Sequence, residues 1–399
     1  MTNARCCPGC GSDRLTDLFE ATGQPVHVGI FGETAEQARA LPTGEITLAH
    51  CGRCGLVHNR SFEPAKLGYR PGYEVALHHS ATFRDYLDGL IDGLIDRFDL
   101  RGKRALEIGC GDGYFLTRLA ERAGLHGVGV DPTAPREGRE LAGDGTVELI
   151  RAYFDEGTAR RVNDPPVEFV ACLSAFEHVP QPAGLLKTVR EMAGGRAGGL
   201  YFETFDARRA LGRGEIWSVH YEQCNLFGAA SLAALFQHAG LTVTDAGNCY
   251  AGDQYAYVDA VAGPAPADPP QDLEPDGLPP ELAKFRETYR ARHAEWTARL
   301  AEWRATGKTA AFWGAAGKGV TFLNSLPLAG PGDGVVEAVV DSNPDKHGKF
   351  LPGTGHPIVP PEALAANPPD AIVLSNALYE REIRARAEEL GVTCEFHVA

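Results

Sequence analysis

Residues 104–116 read RALEIGCGDGYFL, and this stretch decides the fold of the central part of the chain. RALEI is a short apolar run of the kind that forms a buried parallel strand. Three glycines follow at alternate positions, and a helical pattern begins at Tyr114. Glycines at a strand-to-helix turn let the backbone approach a ligand closely, so the pattern predicts a Rossmann-like unit. The three glycines are Gly109, Gly111 and Gly113.

The chain after this turn continues the alternation of strands and helices. HGVGV reads as the second strand and leads into Asp131, at the place where a Rossmann fold holds ribose hydroxyls with a carboxylate. A later apolar run, VEFVACLSAFEHVP (167–180), ends in polar residues, and open α/β sheets bind ligands at the carboxyl ends of their strands. We therefore expect His178 to lie at a cleft, and its imidazole suits a general base.

Two acidic residues separate this turn from a dinucleotide fingerprint. Glu107 lies inside the strand and Asp112 inside the turn, and the third glycine comes one residue earlier than in G-x-G-x-x-G. Carboxylates would repel a pyrophosphate but tolerate a sulfonium that carries an ammonium group. The run resembles motif I of class I S-adenosylmethionine (SAM)-dependent methyltransferases, E-x-G-x-G-x-G. It matches that motif at Glu107, Gly109, Gly111 and Gly113.

The resemblance to class I methyltransferases has consequences for individual residues. It implies that Glu107 and Asp112 lie near SAM and that Asp131 binds its ribose. Phe154, after the third strand, is expected near the adenine, with ordinary core packing as the alternative. Ser174, in the loop after the fourth strand, is expected in the same cofactor site. An NAD-type enzyme remains the rival interpretation of the glycine turn.

A polar segment, WSVHYEQCNLF (217–227), lies between a predicted strand and an amphipathic helix. So many hydrogen-bonding side chains between two ordered elements favour a substrate-facing loop, with a solvated loop as the alternative. Tyr73 is an aromatic residue in the polar connector before the central unit and is expected to form a lid. His78 and His79 beside it are expected to be exposed. The candidates in the loop are His220, Tyr221, Glu222 and Gln223.

Four of the ten cysteines form two CxxC pairs near the N-terminus. A CxxC turn points both thiolates at one ion, and two such turns complete a tetrahedral zinc site. A site closed by four thiolates is structural rather than catalytic. Four unrelated thiols and a redox dithiol are the alternatives. The predicted zinc ligands are Cys7, Cys10, Cys51 and Cys54.

A second strand–glycine–helix pattern begins near residue 308. Gly314, Gly317 and Gly319 form its turn, with Lys318 between them, and Asp341 ends its next strand. This pattern by itself suggests a nucleotide site. By charge and polarity, the expected phosphate or ribose contacts are Lys318, Asn324 and Lys346, with an exposed, solvated surface as the alternative for Lys346.

The whole layout resembles the three-domain sugar C-methyltransferases, which act on nucleotide-linked 4-keto-deoxysugars in antibiotic biosynthesis. Supporting stretches are TAAFWGAAGKGVTFLN (309–324) and VVDSNPDKHGKFLPG (339–353). The resemblance implies a tyrosine, a histidine and a Glu-His pair as catalytic groups. Tyr73, His178 and Glu222 match, but Gln223 stands where the family has histidine. Because glutamine cannot act as a base, His178 or His220 takes that role, or the substrate differs.

The resemblance fixes the expected fold class and division of the chain. The fold is α/β: a class I methyltransferase Rossmann-like domain, a C-terminal Rossmann-like substrate-binding domain and a small N-terminal zinc-binding domain. O- or N-methylation of another natural product and a non-catalytic SAM-binding scaffold are the other functions considered. The predicted segments are 1–74 (zinc-binding), 75–262 (methyltransferase), 263–280 (proline-rich linker) and 281–399 (C-terminal).

Composition limits the partners of this chain. The 399 residues carry a net charge of −15, with 44% hydrophobic residues, as in globular proteins. No Lys/Arg-rich block and no apolar run of membrane-spanning length occurs in the sequence. We therefore expect a cytoplasmic enzyme with a small-molecule, nucleotide-linked substrate and without nucleic-acid or membrane partners. The sequence leaves monomer and dimer open.

Overall fold

The computed structural model describes residues 5–193, 198–262, 279–328 and 330–399. Residues 263–278 of the predicted linker lie outside this set. Within the described residues the strands form three sheets: one of four strands, one of eight and one of five. None of the helices described has both the length and the apolar character needed to cross a membrane.

The N-terminal unit is built on the four-stranded antiparallel sheet. Its first three strands are neighbours in sequence order. The fourth strand comes from much later in the chain, because Asn225 pairs with His58 and Leu226 with Val57. The sheet therefore includes residues beyond the predicted boundary at residue 74. The elements of this unit are β1 (Leu15–Pro25), α1 (Ala35–Arg39), β2 (Thr43–Cys51) and β3 (Val57–Asn59).

The central unit contains the eight-stranded sheet, and its apolar strands are buried as their composition predicts. RALEI and HGVGV pair in parallel, Arg104 opposite His126 and Ile108 opposite Val130. The elements are α2 (Ala81–Phe98), β4 (Arg104–Ile108), α3 (Tyr114–Ala123), β5 (His126–Val130), β6 (Gly138–Ala142), β7 (Gly145–Ile150), α4 (Glu156–Val162), β8 (Phe169–Leu173), α5 (Pro182–Ala193), β9 (Gly199–Phe205), α6 (Ala207–Gly212), β10 (Asn225–Leu226), α7 (Ala229–His238), β11 (Thr242–Cys249) and β12 (Tyr255–Val261).

Strand order confirms the Rossmann-like fold of the central unit. The order is β11-β12-β9-β8-β4-β5-β7-β6. The five strands from β9 to β7 are parallel, whereas β6, β12 and β11 run antiparallel to their neighbours. β6 was not predicted, because its residues are mostly exposed and carry no apolar alternation. The carboxyl ends of β4, β5 and β8 meet at one edge.

The C-terminal unit is the predicted second Rossmann-like fold. Its five strands are all parallel, in the order β15-β14-β13-β16-β17. The elements are α8 (Pro280–Ala283), α9 (Phe285–Thr306), β13 (Ala310–Trp313), α10 (Lys318–Ser325), β14 (Val336–Val340), β15 (Ile358–Val359), α11 (Ala363–Ala366), β16 (Ala371–Leu374), α12 (Glu380–Glu389) and β17 (Glu395–Val398).

Aromatic side chains join the three units into a shared core. Phe19 of the N-terminal sheet lies 5.5 Å from Phe285 and 4.5 Å from Tyr289, ring centre to ring centre. Trp217, from the polar segment of the central unit, lies 5.0 Å from Phe322 of α10. Such contacts bury large apolar surfaces and fix the relative orientation of the units. The start of the polar segment 217–227 therefore packs against the C-terminal unit.

Candidate functional site

The glycine turn after β4 has the conformation that its sequence predicts. Gly109 has a φ of +75°, a left-handed conformation that favours glycine. A Cβ on Gly109 would lie 2.2 Å from the Cβ of Ala175, so a side chain does not fit there. The turn therefore brings bare backbone to the edge of the sheet, next to the loop after β8.

Asp131 connects the second strand to this turn. One carboxylate oxygen, Oδ2, accepts the backbone N–H of Gly111 at 2.9 Å. The other, Oδ1, accepts the N–H and the hydroxyl of Thr133, each at 2.6 Å. A carboxylate has about four acceptor positions, so about one remains for a ligand hydroxyl. The protein thus fixes the carboxylate at the rim of the cleft before any ligand arrives.

Two buried glutamates lie beside the turn with unsatisfied oxygens. Glu107 Oε2 and Glu177 Oε2 have no hydrogen-bond partner among the described residues. Burial, together with Asp112 and Asp131, raises the pKa of Glu107 well above its usual range. Burial also raises the pKa of Glu177. Orphaned buried carboxyl oxygens require a partner, so this edge fits a ligand with N–H or O–H donors or a positive charge.

One continuous cleft of about 1480 Å³ connects the central and C-terminal units. Its walls are the carboxyl ends of β4, β5 and β8 on one side and those of β13, β14 and β16 on the other. The connector around Tyr69–Phe83 forms a third wall. A single small ligand occupies a pocket of roughly 300–1,000 Å³. This cleft therefore has room for two ligands side by side.

Most of the predicted cofactor residues line this cleft. Ser174 follows β8 with a φ of +50°, and its N–H donates to the carbonyl of Glu203 at 2.8 Å. His78 was expected to be exposed but is largely buried, because its ring stacks on Tyr114 with 4.2 Å between the centres. The predicted cofactor residues that line the cleft are Glu107, Gly109, Gly111, Asp112, Asp131, Phe154 and Ser174.

Two neighbouring hydrogen-bonded groups of side chains contribute residues to the wall of the cleft. The Tyr73 hydroxyl donates to Glu222 Oε1 at 2.6 Å, and His27 Nδ1 lies 2.9 Å from Glu222 Oε2. The Tyr69 hydroxyl lies 2.7 Å from Nδ1 of His178. Tyr69 and His27 were not among the sequence candidates. Tyr69 shares its polar connector with Tyr73, whereas no sequence signal marks His27, which is 195 positions from Glu222.

His220 is a buried side chain on the C-terminal side of the cleft. Its Nδ1 lies 2.8 Å from the hydroxyl of Thr321, which donates to the carbonyl of Val219 at 3.4 Å. A hydroxyl that donates its own proton accepts the Nδ1 proton, so Nε2 of His220 is a proton acceptor. Burial lowers the pKa of His220 to about 4, so the ring is neutral at physiological pH.

The candidate substrate contacts are distributed unevenly. Gln223, Lys318 and Lys346 line the cleft, but each lysine is already paired with a carboxylate. Lys318 Nζ lies 2.6 Å from Glu215, and the buried Lys346 Nζ lies 3.0 Å from Asp341. The solvated surface weighed for Lys346 is therefore wrong. A phosphate bound at Lys318 or Lys346 would share the lysine ammonium group with the carboxylate already paired to it.

The structure places two predicted substrate residues outside the cleft. The Tyr221 hydroxyl accepts the backbone N–H of Glu63 at 2.9 Å, inside the N-terminal unit. The side-chain amide nitrogen of Asn324 donates hydrogen bonds to the backbone carbonyls of Val320 and Pro352, each at 2.9 Å. Both polar groups are occupied by local structure, and neither residue is among those that line the cleft.

The four predicted zinc ligands converge in the N-terminal unit. Cys7, Cys10, Cys51 and Cys54 have their sulfurs within 4.8 Å of one another. The Sγ atoms of Cys7 and Cys54, and those of Cys10 and Cys51, are 3.6 Å apart. Sulfurs about 2.3 Å from a common zinc at tetrahedral corners lie about 3.8 Å apart. The donor set and its spacing fit a tetrahedral zinc ion.

Comparison with known proteins shows which proteins this chain is similar to. Residues 83–246 match the family model described as a methyltransferase domain, and residues 279–394 match the model described as a C-methyltransferase C-terminal domain. The C-methyltransferase NovU of Streptomyces niveus is 27% identical over 395 residues, covering 94% of this chain and 90% of NovU. These matches fit a C-methyltransferase family. The chain is a SAM-dependent class I enzyme.

Other similarities cover smaller parts of the chain. The ubiquinone biosynthesis O-methyltransferase of Hahella chejuensis is 30% identical over 120 residues, which cover 29% of this C-methyltransferase and about half (49%) of that protein. A solved structure of magnesium protoporphyrin IX methyltransferase from Synechocystis PCC 6803 with bound S-adenosylhomocysteine (SAH) matches with a TM-score of 0.35 and 16% identity. That match covers 47% of this chain and 88% of the solved one.

Proposed function

We propose that this C-methyltransferase methylates the carbon next to the keto group of a nucleotide-linked deoxysugar. The observation that carries the proposal is the single cleft that joins the SAM turn, the His178 and Glu222 groups and the C-terminal glycine turn. The size of the cleft supports simultaneous binding of SAM and a second molecule. The match to the C-methyltransferase C-terminal domain supports a shared substrate type.

Carbon methylation needs a base and an aligned carbon nucleophile. When bound, SAM supplies a methyl group on a positively charged sulfur. We propose that His178 Nε2 removes the proton from the carbon beside the ketone, with Tyr69 accepting the Nδ1 proton. The C–H electron pair forms the enolate, and SAM held at the glycine turn and Asp131 would supply the methyl group to the enolate carbon and leave as SAH. The proton passes from His178 to solvent.

His220 is the alternative base. His220 lines the same cleft, and its Nε2 can accept a proton. Its lowered pKa makes it a weaker base than an ordinary imidazole. Gln223 lines the cleft beside Glu222 and carries amide N–H donors. We propose that Gln223 donates to a substrate oxygen instead of moving a proton. This role is consistent with the absence of a histidine at position 223.

The proposal is tested with a panel of nucleoside-diphosphate-linked 4-keto-6-deoxysugars, with SAH formation as the rate assay. We expect turnover of at least one member, with a new C-methyl signal and loss of the proton beside the ketone in the product NMR spectrum. An O-methyl signal with that proton retained would show O-methylation instead. Absence of SAH with every ketosugar would reject this substrate class.

We propose that Asp131 binds the ribose of SAM with its remaining acceptor position. Asp131→Asn is expected to weaken SAH binding by about 10–100-fold, since hydrogen bonds to a charged group contribute about 1.5–3 kcal/mol. Calorimetric titration with SAH measures the change. Asp341→Asn is the matched control, because Asp341 accepts the N–H of Ala315 in the corresponding turn of the C-terminal unit. Equal SAH affinity of wild type and Asp131→Asn would remove Asp131 from this role.

We also propose that the four cysteine thiolates hold a structural zinc ion. Four thiolates close the coordination sphere and leave no position for a substrate. The ion would tie residues 7–10 to the end of β2 and the turn that follows it. Its contribution is therefore to the fold of the N-terminal unit, which carries His27 and precedes the connector with Tyr69 and Tyr73.

A further inference from the structure

Glu222 is the buried centre of a hydrogen-bonded group whose members come from distant parts of the chain. Only 1% of Glu222 and 7% of His27 are exposed. One carboxylate oxygen accepts the Tyr73 hydroxyl, and the other faces His27 Nδ1 at 2.9 Å. A buried carboxylate that loses such a partner is strongly destabilised. The contacts with Tyr73 and His27 therefore both stabilise the charged form of Glu222.

The proton of His27 can be located from its second contact. The backbone N–H of Gly68 points at His27 Nε2 over 3.2 Å. A backbone N–H only donates, so Nε2 accepts and carries no proton. A neutral ring then has its proton on Nδ1, directed at Glu222. His27 is therefore a neutral donor in this geometry.

The proton of Tyr73 is located in the same way. Burial, with Glu222 nearby, raises the pKa of Tyr73 well above its usual range, so the phenol keeps its proton. That single proton goes to Glu222. Burial raises the pKa of Glu222, but the hydrogen bond from His27, the nearby His178 and the hydrogen bond from Tyr73 together lower it below its usual range. Glu222 is thus ionised, and the phenol oxygen of Tyr73 has only acceptor positions left.

The ring of His27 also packs against the two tyrosines of the connector. Its centre lies 5.0 Å from that of Tyr69 and 6.0 Å from that of Tyr73, both edge to face. The two tyrosine rings are 5.2 Å apart. Tyr69 in turn contacts His178. One side chain of the N-terminal unit therefore contacts both hydrogen-bonded groups at the wall of the cleft.

We propose that His27 is a positioning residue that keeps Glu222 ionised and thereby sets the Tyr73 oxygen as a hydrogen-bond acceptor toward the substrate. The ligand class that fits this acceptor carries a hydroxyl or an ammonium group near the reacting carbon. The substrate part of this inference rests on the proposed function. The proton arrangement of His27, Glu222 and Tyr73 does not.

Two substitutions at position 27 distinguish a positioning role of His27 from a packing role. His27→Phe keeps a ring of similar size but has no nitrogen, whereas His27→Asn places an amide N–H where Nδ1 stood. We expect His27→Phe to lower kcat by about 10–100-fold, in line with the loss of a hydrogen bond to a charged group. His27→Asn should recover most of that loss. SAH affinity and zinc content should match the wild type in both variants, whereas Tm should fall in His27→Phe, which removes a donor from the buried carboxylate, and recover in His27→Asn.

A measurement without substrate tests the proton arrangement directly. In full-length protein labelled with 15N-histidine, the His27 signals are assigned by their absence from His27→Asn. We expect the neutral ring with its proton on Nδ1 at pH 7. A proton on Nε2, or a fully protonated ring, would overturn the proposal.

The two experiments also separate this inference from the proposed function. If no ketosugar is turned over while His27 shows the Nδ1–H form, the substrate assignment fails and the His27 arrangement holds. If a ketosugar is C-methylated and His27→Phe turns over as fast as wild type, the positioning role fails and the proposed function holds. Wild-type turnover by His27→Phe together with a loss of kcat in His27→Asn would mean that His27 acts by packing alone, which also overturns the proposal.

Discussion

Replacing His178 with alanine is expected to lower kcat by at least ~100-fold, because a positioned general base contributes about 10²–10⁴-fold to such reactions. Without it, the imidazole that Tyr69 contacts is not there to accept the proton of the substrate carbon. SAH affinity is expected to change little, since the turn around Gly109 and the contacts of Asp131 are independent of the imidazole. Initial rates of SAH formation and calorimetric titration with SAH measure the two quantities.

Proton exchange in heavy water isolates the base from methyl transfer. With SAH in place of SAM, the wild-type protein should exchange the proton beside the ketone for deuterium, and His178→Ala should not. His220→Ala is the matched control, because it removes the alternative base. If His178→Ala exchanges and turns over at wild-type rates while His220→Ala does neither, the base is His220.

Tyr69 offers a second check on His178. The Tyr69 hydroxyl lies 2.7 Å from Nδ1 of His178 and holds the ring orientation. Tyr69→Phe keeps the ring and removes the oxygen. Its kcat should therefore lie between those of the wild type and His178→Ala. This ordering follows only if His178 acts in the proton transfer.

Loss of zinc is expected to have the largest effect on folding. Cys51→Ser should abolish zinc binding and unfold the N-terminal unit, because structural zinc in zinc-finger peptides contributes about 10–16 kcal/mol of binding free energy. Turnover should be lost with it, since His27 would no longer be held against Glu222. Elemental analysis should find one zinc per wild-type chain and none in the variant. Thermal unfolding measures the loss of stability.

Cys6→Ser is the matched control for the zinc experiment. Cys6 adjoins Cys7 but is not among the four sulfurs that converge. This variant should therefore retain one zinc and the wild-type Tm. A metal-free wild-type protein with an intact N-terminal unit would contradict the zinc assignment.

Features that depend on neighbouring residues could be predicted from the sequence. The strand, glycine turn and helix around Gly109 follow from apolar pattern and backbone freedom within a dozen positions, and the structure confirms that unit. The C-terminal strand and turn at Gly314 were found in the same way. The two CxxC turns predicted the group of four cysteines, because each pair already holds two sulfurs on one side of a turn.

Contacts between distant residues were decided only by the tertiary structure. His27 and Glu222 are 195 positions apart, and Lys318 lies 103 positions from the Glu215 that pairs with it. Neither pair can be recognised from local periodicity or motif spacing in the sequence. Which polar groups face the cleft depends on how three sheets pack around a shared aromatic core, and packing is a property of the whole chain. The sequence thus determined the cofactor fold and the group of four cysteines, whereas the folded chain decided which side chains form hydrogen bonds with one another.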